Sequence, residues 1–510
     1  MQWAEAGVDR QQVDVLVIGG GGGGMAAAAA AAECGRKVQL VEKADKLGGT
    51  TSGWSIGSIS ATNTPHQLRR CILDNPQHHF EDMGLFKTRR AKSDNPALRR
   101  LLTDNVTETF CWLVSLGIEF AGPMPEPPHR KPRMHTVMPN SRAYAYHVGR
   151  YVRKLGVHIR LRSRAVELVR DGQRVIGAVV ECDGRRVTIL AKATVLATGD
   201  FSGSAELKER FVSKELAAVD PINVDSTGDG LRLGIAVGGR VLNGDVLLGP
   251  EMRFVPPRNN LIRMIPPWRF VGQAMRWSFE NLPPSILRPF VMSFMTTALA
   301  PTPALFAEGA ILVNKRGERF VDEGPGAALA LAAQPEKIGY ILLDSALARK
   351  FSAWPNYIST APGIAYAYID DYRRNRKDIF HSASSLEALA DRLGMSRSAL
   401  SASLATARAA RGGIDTGPDA SGAWYALGPV KSYIVLTDGG LAVNERLQVL
   451  DAADRPIDGL YAAGSAGQGG VLLQGHGHHI GWAFTSGRLA GRHAAFETDR
   501  EASASATVGA

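Results

Sequence analysis

The stretch 13-VDVLVIGGGGGGMAAAAAAAECGRKVQLVE-42 decides the fold. Val13–Ile18 is a short run of mostly branched apolar residues, the pattern of a buried parallel strand. Six glycines follow, then Met25 and an alanine run that reads as a helix to about Cys34, closed by Gly35. A second strand, 38-VQLVE-42, completes a βαβ unit. Gly19-x-Gly21-x-x-Gly24 occupies its first turn, and Glu42 ends the second strand 18 residues after Gly24. Glycines at those places let backbone approach a pyrophosphate at a helix N-terminus, and the carboxylate binds ribose hydroxyls. The next stretch, 42-EKADKLGGTTSGWSIGSIS-60, separates a flavin from a nicotinamide. A polar, Gly-rich segment directly after the ribose acid has no use in an NAD site, whereas in an FAD site it runs beside pyrophosphate and isoalloxazine.

Composition agrees with a globular protein. The 510 residues are 45% hydrophobic and 21% charged, which excludes disordered and fibrous classes and predicts two or three domains. Glycine is in excess, and the excess is local, in Gly19–Gly24, in 475-GHGHHIGW-482 and in turns. Cys34, Cys71, Cys111 and Cys182 form no CxxC pair, so neither a zinc site nor a disulfide framework is expected. The reading is cytoplasmic, with no leader peptide and no run of eighteen apolar residues. A net charge of +10 is mild over this length, and no basic stripe interleaved with aromatics marks a nucleic-acid surface.

Farther along, 166-VELVRD-171 and 175-VIGAVV-180 read as a hairpin, 187-VTIL-190 as a strand, and 193-ATVLATGDFSG-203 as a strand ending in a small-residue turn. The segment 226-STGDG-230 opens a helix, and 309-GAILVNKRGERFVDE-323 reads as strand, turn and strand. Leu386, Leu389, Leu393, Leu400 and Leu404 mark two helices. A terminal helix is expected from about Ile480 to Ala495, and 501–510 as a disordered tail.

With 18-IGGGGGGMAAA-28, 41-VEKADKLGGTTSG-53, 196-LATGDF-201, 226-STGDG-230, 309-GAILVNKRGERFVDE-323, 438-DGGLAVN-444 and 459-GLYAAG-464 in family order, the chain resembles the fumarate reductase / 3-ketosteroid dehydrogenase flavoprotein superfamily. The resemblance implies an α/β fold: a Rossmann-type FAD-binding domain (1–240 and 430–500) with an inserted α+β substrate-capping domain (241–429). It implies FAD contacts at Gly19, Gly21, Gly24, Glu42, Lys43, Gly49, Thr50, Thr51, Ser52, Gly53, Val166, Ala197, Thr198, Gly199, Asp229, Gly464, His479 and Ile480. Some members attach FAD through a histidine after the ribose acid; none precedes His66 here, so a noncovalent flavin is expected.

The branch is read from missing cations. Fumarate reductases place an arginine shortly after the RFVDE-type strand and a second one in the loop after GLYAAG. Here Ala327 and Gln474 fall near those places. The loop end, 475-GHGHHIGWAFTSGRLAG-491, looks more like the ketosteroid-dehydrogenase form G-x-G-x-x-I-G-x-A. In that branch a backbone N–H, here Gly477, polarises the substrate carbonyl. The branch's tyrosines are absent, Gly324–Ala328 and Leu473 standing in their neighbourhoods.

Replacement candidates are His476 and His478, either acting on substrate or holding flavin and loop, together with Tyr433 and Tyr146 (with Tyr144 and His147 beside it). Their spacing is no metal signature, and no metal is expected. Residues 252–306 mix Trp268, Phe270, Trp277, Phe279, Phe290 and Phe294 with six arginines and, before Glu308, the single acid Glu280. This suits a capping-domain wall, a peripheral membrane dock or an oligomer interface. The expectation is an FAD dehydrogenase that desaturates the bond next to a carbonyl in a small hydrophobic cyclic ketone. Its electrons would pass to an external acceptor such as a quinone. The alternatives are the opposite direction, as a fumarate or enone reductase, and a non-catalytic redox sensor.

Overall fold

The structure, a computed structural model, describes residues 10–50, 57–86, 94–257, 264–361, 365–410 and 422–508; the candidates Thr51, Ser52 and Gly53 lie outside them. Strand β1 (Arg10–Ile18), helix α1 (Gly22–Glu33) and strand β2 (Val38–Val41) form the expected βαβ unit, β1 and β2 pairing in parallel. Val15, Leu16 and Val17 are fully buried, as a central parallel strand covered on both faces requires. Next come β3 (Ser58–Ser60), α2 (Pro76–Met83) and α3 (Pro96–Ser115). They are followed by β4 (Glu119–Met124), β5 (Met134–Met138) and α4 (Arg142–Lys154). Strands β6 (His158–Arg160), β7 (Ser163–Asp171), β8 (Arg174–Cys182) and β9 (Arg185–Leu196) include the expected hairpin, β7 with β8.

The inserted unit is built on a second, six-stranded sheet. Its strands are β10 (Asp220–Pro221), β11 (Glu251–Phe254), β12 (Ile311–Asn314), β13 (Ile338–Asp344), β14 (Phe380–Ala383) and the central β15 (Trp424–Ile434). Helix α5 (Asp229–Ala236) follows β10, while α6 (Arg269–Asn281), α7 (Pro284–Ala298) and α8 (Ala327–Ala332) lie between β11 and β13. The cap has its own apolar core, with Phe254, Leu305, Phe306, Leu343, Phe351 and Tyr372 among its members.

The chain then re-enters the first sheet through β16 (Gln448–Leu450) and β17 (Pro456–Ala462) and closes with α9 (His478–Val508). That sheet runs β16-β17-β9-β1-β2-β6, with β8 paired to β9 and β7 to β8. Ile18 aligns with Val41 on one side and Leu196 on the other, and Ala462 aligns with Leu196. The carboxyl ends of β1, β2, β9 and β17 therefore meet at one rim, where open parallel sheets bind their ligands. Helix α1 is Gly/Ala from Gly22 to Ala31 save Met25, and α9 presents Gly487 and Gly491 to it. A Cβ at Gly491 would lie 2.2 Å from Ala27 O, so the helices pack backbone against backbone.

Two expectations need correction. Residues 319–323 form no strand; only Arg319 bridges Val313, because Arg319 instead pairs with Asp322 and Glu323, and Glu323 caps Leu312 N at 3.0 Å. Helix α9 runs on through Val508, beyond the end expected at about Ala495. The cap sheet also reaches past the expected boundaries, taking in Asp220–Pro221 and running to Ile434.

Candidate active site

The rim assembles the cradle from four separate parts of the chain. Gly19 leaves β1 at φ +107°, and a Cβ there would lie 2.4 Å from Ala197 O, so β1 and the end of β9 approach as only glycine allows. A Cβ at Gly24 would meet Gly19 O at 1.8 Å, which brings α1 close behind the turn. At Gly21, the N-cap of α1, an added Cβ meets nothing within 4 Å; the space before the helix N-terminus is open. Backbone N–H groups and the helix dipole there suit a pyrophosphate.

Glu42 accepts from Gly20 N at 2.6 Å and Ala44 N at 2.8 Å, which fixes its carboxylate beside the glycine turn. The segment after it doubles back, Gly48 bridging Gly21, and Thr50 Oγ1 accepts from Asn223 at 2.7 Å. Lys43 and Arg164 converge on Asp229 at 3.2 and 2.8 Å. Burial opposes ionisation of Asp229, but these two cations outweigh it and hold its pKa below the ordinary carboxylate value. A groove of about 340 Å³ lined by Lys43, Ala44, Arg162, Arg164, Asp225 and Thr227 continues outward from Glu42. Thr198 Oγ1 accepts from Gly230 N at 2.9 Å, and Val166 stands at a register break in β7. The residues present thus fit an FAD.

The second end of the site gathers around a buried carboxylate. Asp438 accepts from His479 Nε2 at 2.7 Å, Gln468 Nε2 at 2.9 Å and Gln474 Nε2 at 3.2 Å. Burial alone would raise its pKa; His479 and Gln468 reverse that and lower it. Three loops are thereby tied together, those around 438, 468 and 474–479. Gly464 joins them to the cradle: its N–H donates to Ser486 Oγ, its carbonyl accepts from Trp482 Nε1, and it lies against Gly23. Ile480 is buried in the same core.

His476 is held by a partner that sequence reasoning missed. Its backbone N–H and Nδ1 both meet Glu126 Oε1, at 2.8 and 2.6 Å, while its carbonyl accepts from Ser60 Oγ at 2.7 Å. The Glu126 side chain is 6% exposed and that of His476 43%, so a buried carboxylate orients a ring that opens outward. With Nδ1–H donated to Glu126, Nε2 is the atom that can take or give a proton. Next to it, Gly477 has φ +95°, and a Cβ would lie 2.4 Å from Ser60 N. No described residue accepts from Gly477 N–H.

The other candidates go elsewhere. His478 is fully buried; burial first, against a hydrogen bond to Gln474 O, lowers its pKa to about 4. It packs with His79 and His129 rather than facing the opening. Tyr433 sits in β15 opposite Asp220 and Glu251, and burial, then Asp220, raises its pKa. Tyr146 turns to its own helix, against His147 and Arg150. Tyr144 is a core residue whose hydroxyl donates to Gly57 O at 2.8 Å. The structure therefore brings His476, Gly477 and His479 to the rim and leaves His478, Tyr433 and Tyr146 away from it. Asp438 was legible in 437-TDGG-440, whereas Glu126, set among prolines in 125-PEPPHRKPR-133, carried no signal.

The comparisons agree with this fold. A fumarate reductase (cytochrome) of Shewanella frigidimarina is 26% identical over 97% of this chain and 79% of its own. A vinyl phenol reductase of Lactiplantibacillus plantarum is 25% identical over 96% and 97%. Among solved structures, the open conformation of a flavocytochrome c3 fumarate reductase matches at TM-score 0.69, with 25% identity over 96% of this chain and 79% of that one. A 3-ketosteroid delta1-dehydrogenase from Sterolibacterium denitrificans shares the fold at TM-score 0.62 and 19% identity, over 95% and 100%. The FAD binding domain model matches residues 14–258 and 272–474. With its dinucleotide cradle, buried Asp438 hub and that match in hand, the chain belongs to the FAD binding domain family of flavoprotein oxidoreductases.

Proposed function

We propose that the protein exchanges hydrogen across the carbon–carbon bond next to a carbonyl in a hydrophobic, cyclic ketone or enone. His476 is the group that carries the proton. The Glu126–His476 pair is the observation that carries the reading, because a carboxylate-oriented imidazole with one nitrogen open is suited to proton transfer. FAD, when bound, supplies the hydride chemistry. Gly477 N–H is the candidate donor to the substrate carbonyl. Reduction is the favoured direction, since the two relatives compared over nearly the whole chain bear the names of reductases. Desaturation of the saturated ketone is the same chemistry reversed, favoured by the loop form 475-GHGHHIGWA-483.

A dicarboxylate substrate is disfavoured. Ala327 is buried at the start of α8, and the Gln474 amide is tied to Asp438, so neither place offers a cation. Two carboxylates closed in without cations would cost several kcal/mol each. Electrons are exchanged with an external carrier of quinone type. A peripheral membrane contact through α6 and α7 is part of the same reading, because these helices expose Phe270, Trp277, Ile286 and Phe290.

The test is anaerobic. Dithionite-reduced protein is mixed with cyclic enones, a vinyl phenol and fumarate, and flavin colour is followed at roughly 450 nm. Rapid reoxidation by an enone, with fumarate slow, is expected. His476→Asn should slow it by about 10²–10⁴-fold with flavin content unchanged. Fumarate as the fastest oxidant would overturn the substrate class, and full activity in H476N would remove the proton role.

A further inference from the structure

The buried histidines outside the reaction site are not simply core. His79 on α2, His129 in the β4–β5 loop and His478 at the start of α9 each bring one ring nitrogen into a cluster, these atoms lying within 4.8 Å of one another. His79 Nε2 and His478 Nε2 are 3.1 Å apart. Two nitrogens bound to one tetrahedral ion at about 2.0–2.1 Å would be roughly 3.3 Å apart. The geometry points to a three-histidine site for a borderline divalent transition ion, zinc above all.

Two observations distinguish this from ring packing. His478 Nδ1–H donates to Gln474 O, which fixes the tautomer and leaves the Nε2 lone pair facing the cluster. His129 Nε2 is buried with no hydrogen-bond partner among the described residues, an unusual condition for a native polar atom. Imidazole is also the ligand type that zinc, cobalt(II), nickel(II) and copper(II) share, so the donor set selects that group over magnesium or calcium.

Two contacts oppose the ion: His79 Nε2–H donates to His478 Nε2, a bond the ion would replace with the His79 proton moving to Nδ1, and His129 carries its proton on the nitrogen the ion needs. Arg133 Nη1 donates to His129 Nδ1 at 2.8 Å, which leaves the ring proton on Nε2. Asp82 Oδ2 stands 4.0 Å from the same Nδ1. Freeing Nε2 needs the proton on Nδ1, which requires the Arg133 Nη1 donor to give up that contact and the ring to shift toward Asp82 Oδ2. Arg133 retains both bonds to Asp74 and its bond to Asp82. Arg130 is paired with Glu81 and Asp82, so the charge beside the site is balanced rather than repelling a cation.

An ion here would pin the loop 474–479 to α2 and to the β4–β5 loop, two residues from His476 and three from Glu126. Metal binding stands by itself; only its effect on His476 rests on the proposed reaction. The test therefore reads metal, not turnover. The FAD-loaded protein is stripped with chelator and titrated with cobalt(II) and zinc. We expect visible d–d bands that zinc abolishes, roughly one zinc per chain retained after desalting, and a higher Tm with zinc. His79→Asn and His129→Asn should each lose the bands and the Tm shift, while His66→Asn, a buried histidine outside the cluster, keeps both. The wild-type spectrum decides the question even if a variant fails to fold. No visible band and no retained zinc in the wild-type protein would overturn the site, as would zinc held equally by H79N and H129N.

Discussion

His66 shows how one side chain can set the acid limit of this protein. It is 6% exposed, neither ring nitrogen has a partner among the described residues, and it packs edge-on against Phe110 and His135. Burial, then the nearby Arg69, Arg276 and Arg70, lowers its pKa to about 4; His135 Nε2 bonds Thr64, and burial, then His66, takes that ring to about 3. A depressed histidine binds its proton more readily unfolded than folded. Stability is therefore complete above the unfolded value near 6.5 and is lost as pH falls from there toward 4. Between pH 6.5 and 5 the ceiling is about 2 kcal/mol for His66. Urea unfolding at pH 7.5 and 5.0 should show His66→Leu losing less stability on acidification than wild type. An equal loss in both would place the acid sensitivity elsewhere.

Elements meet here through what they lack. Helix α1 has almost no side chains, so α9 comes close enough for Gly487 to approach Gly23 O and Gly491 to approach Ala27 O. Gly491→Leu must push α9 off α1 and shift the turn that holds the pyrophosphate site. Overpacking of this kind costs about 1–3 kcal/mol or more. A lower Tm together with weaker FAD retention is expected; a lower Tm with full retention would mean that α1 moves without its N-terminus. Helices α6 and α7 show the converse. Gly272 is the sole buried residue of α6, and Phe270 and Trp277, seven apart, share one face, as do Ile286 and Phe290 on α7.

At the scale of the whole molecule, α6, α7 and the residues before them form one apolar region. Among the described residues, seven of the fourteen large exposed hydrophobic ones fall between Met264 and Phe290. Its arginines are not unopposed: Arg269 and Arg276 meet Glu119, Arg288 meets Asp371, and the one acid, Glu280, meets Arg70. No helix among the described residues is long and apolar enough to cross a membrane, so a contact would be with the bilayer surface. Co-sedimentation with vesicles is expected to rest on the aromatics more than on charge. Phe270→Ser with Trp277→Ser should weaken it by about tenfold or more, each buried ring contributing about 1.5–3 kcal/mol, while neutralising Arg276 has a smaller effect. Failure to sediment with anionic and neutral vesicles alike would remove the membrane contact.

Local spacing was enough for the βαβ unit, the glycine fingerprint with Glu42 at the end of the second strand, the flavin class and two helices, found at Leu386–Leu393 and Arg397–Ala410. Each of these rests on short-range spacing, where periodicity and glycine placement act within about thirty residues. Which histidine faces the opening depends on contacts between distant parts of the chain. His476, His478 and His479 are equivalent as letters, yet Glu126 from 350 residues away holds the first, His79 from 399 residues away meets the second, and Asp438 takes the third. Those partners are supplied by loop crossings at the sheet rim, and no local pattern encodes which side chains the fold will place together there.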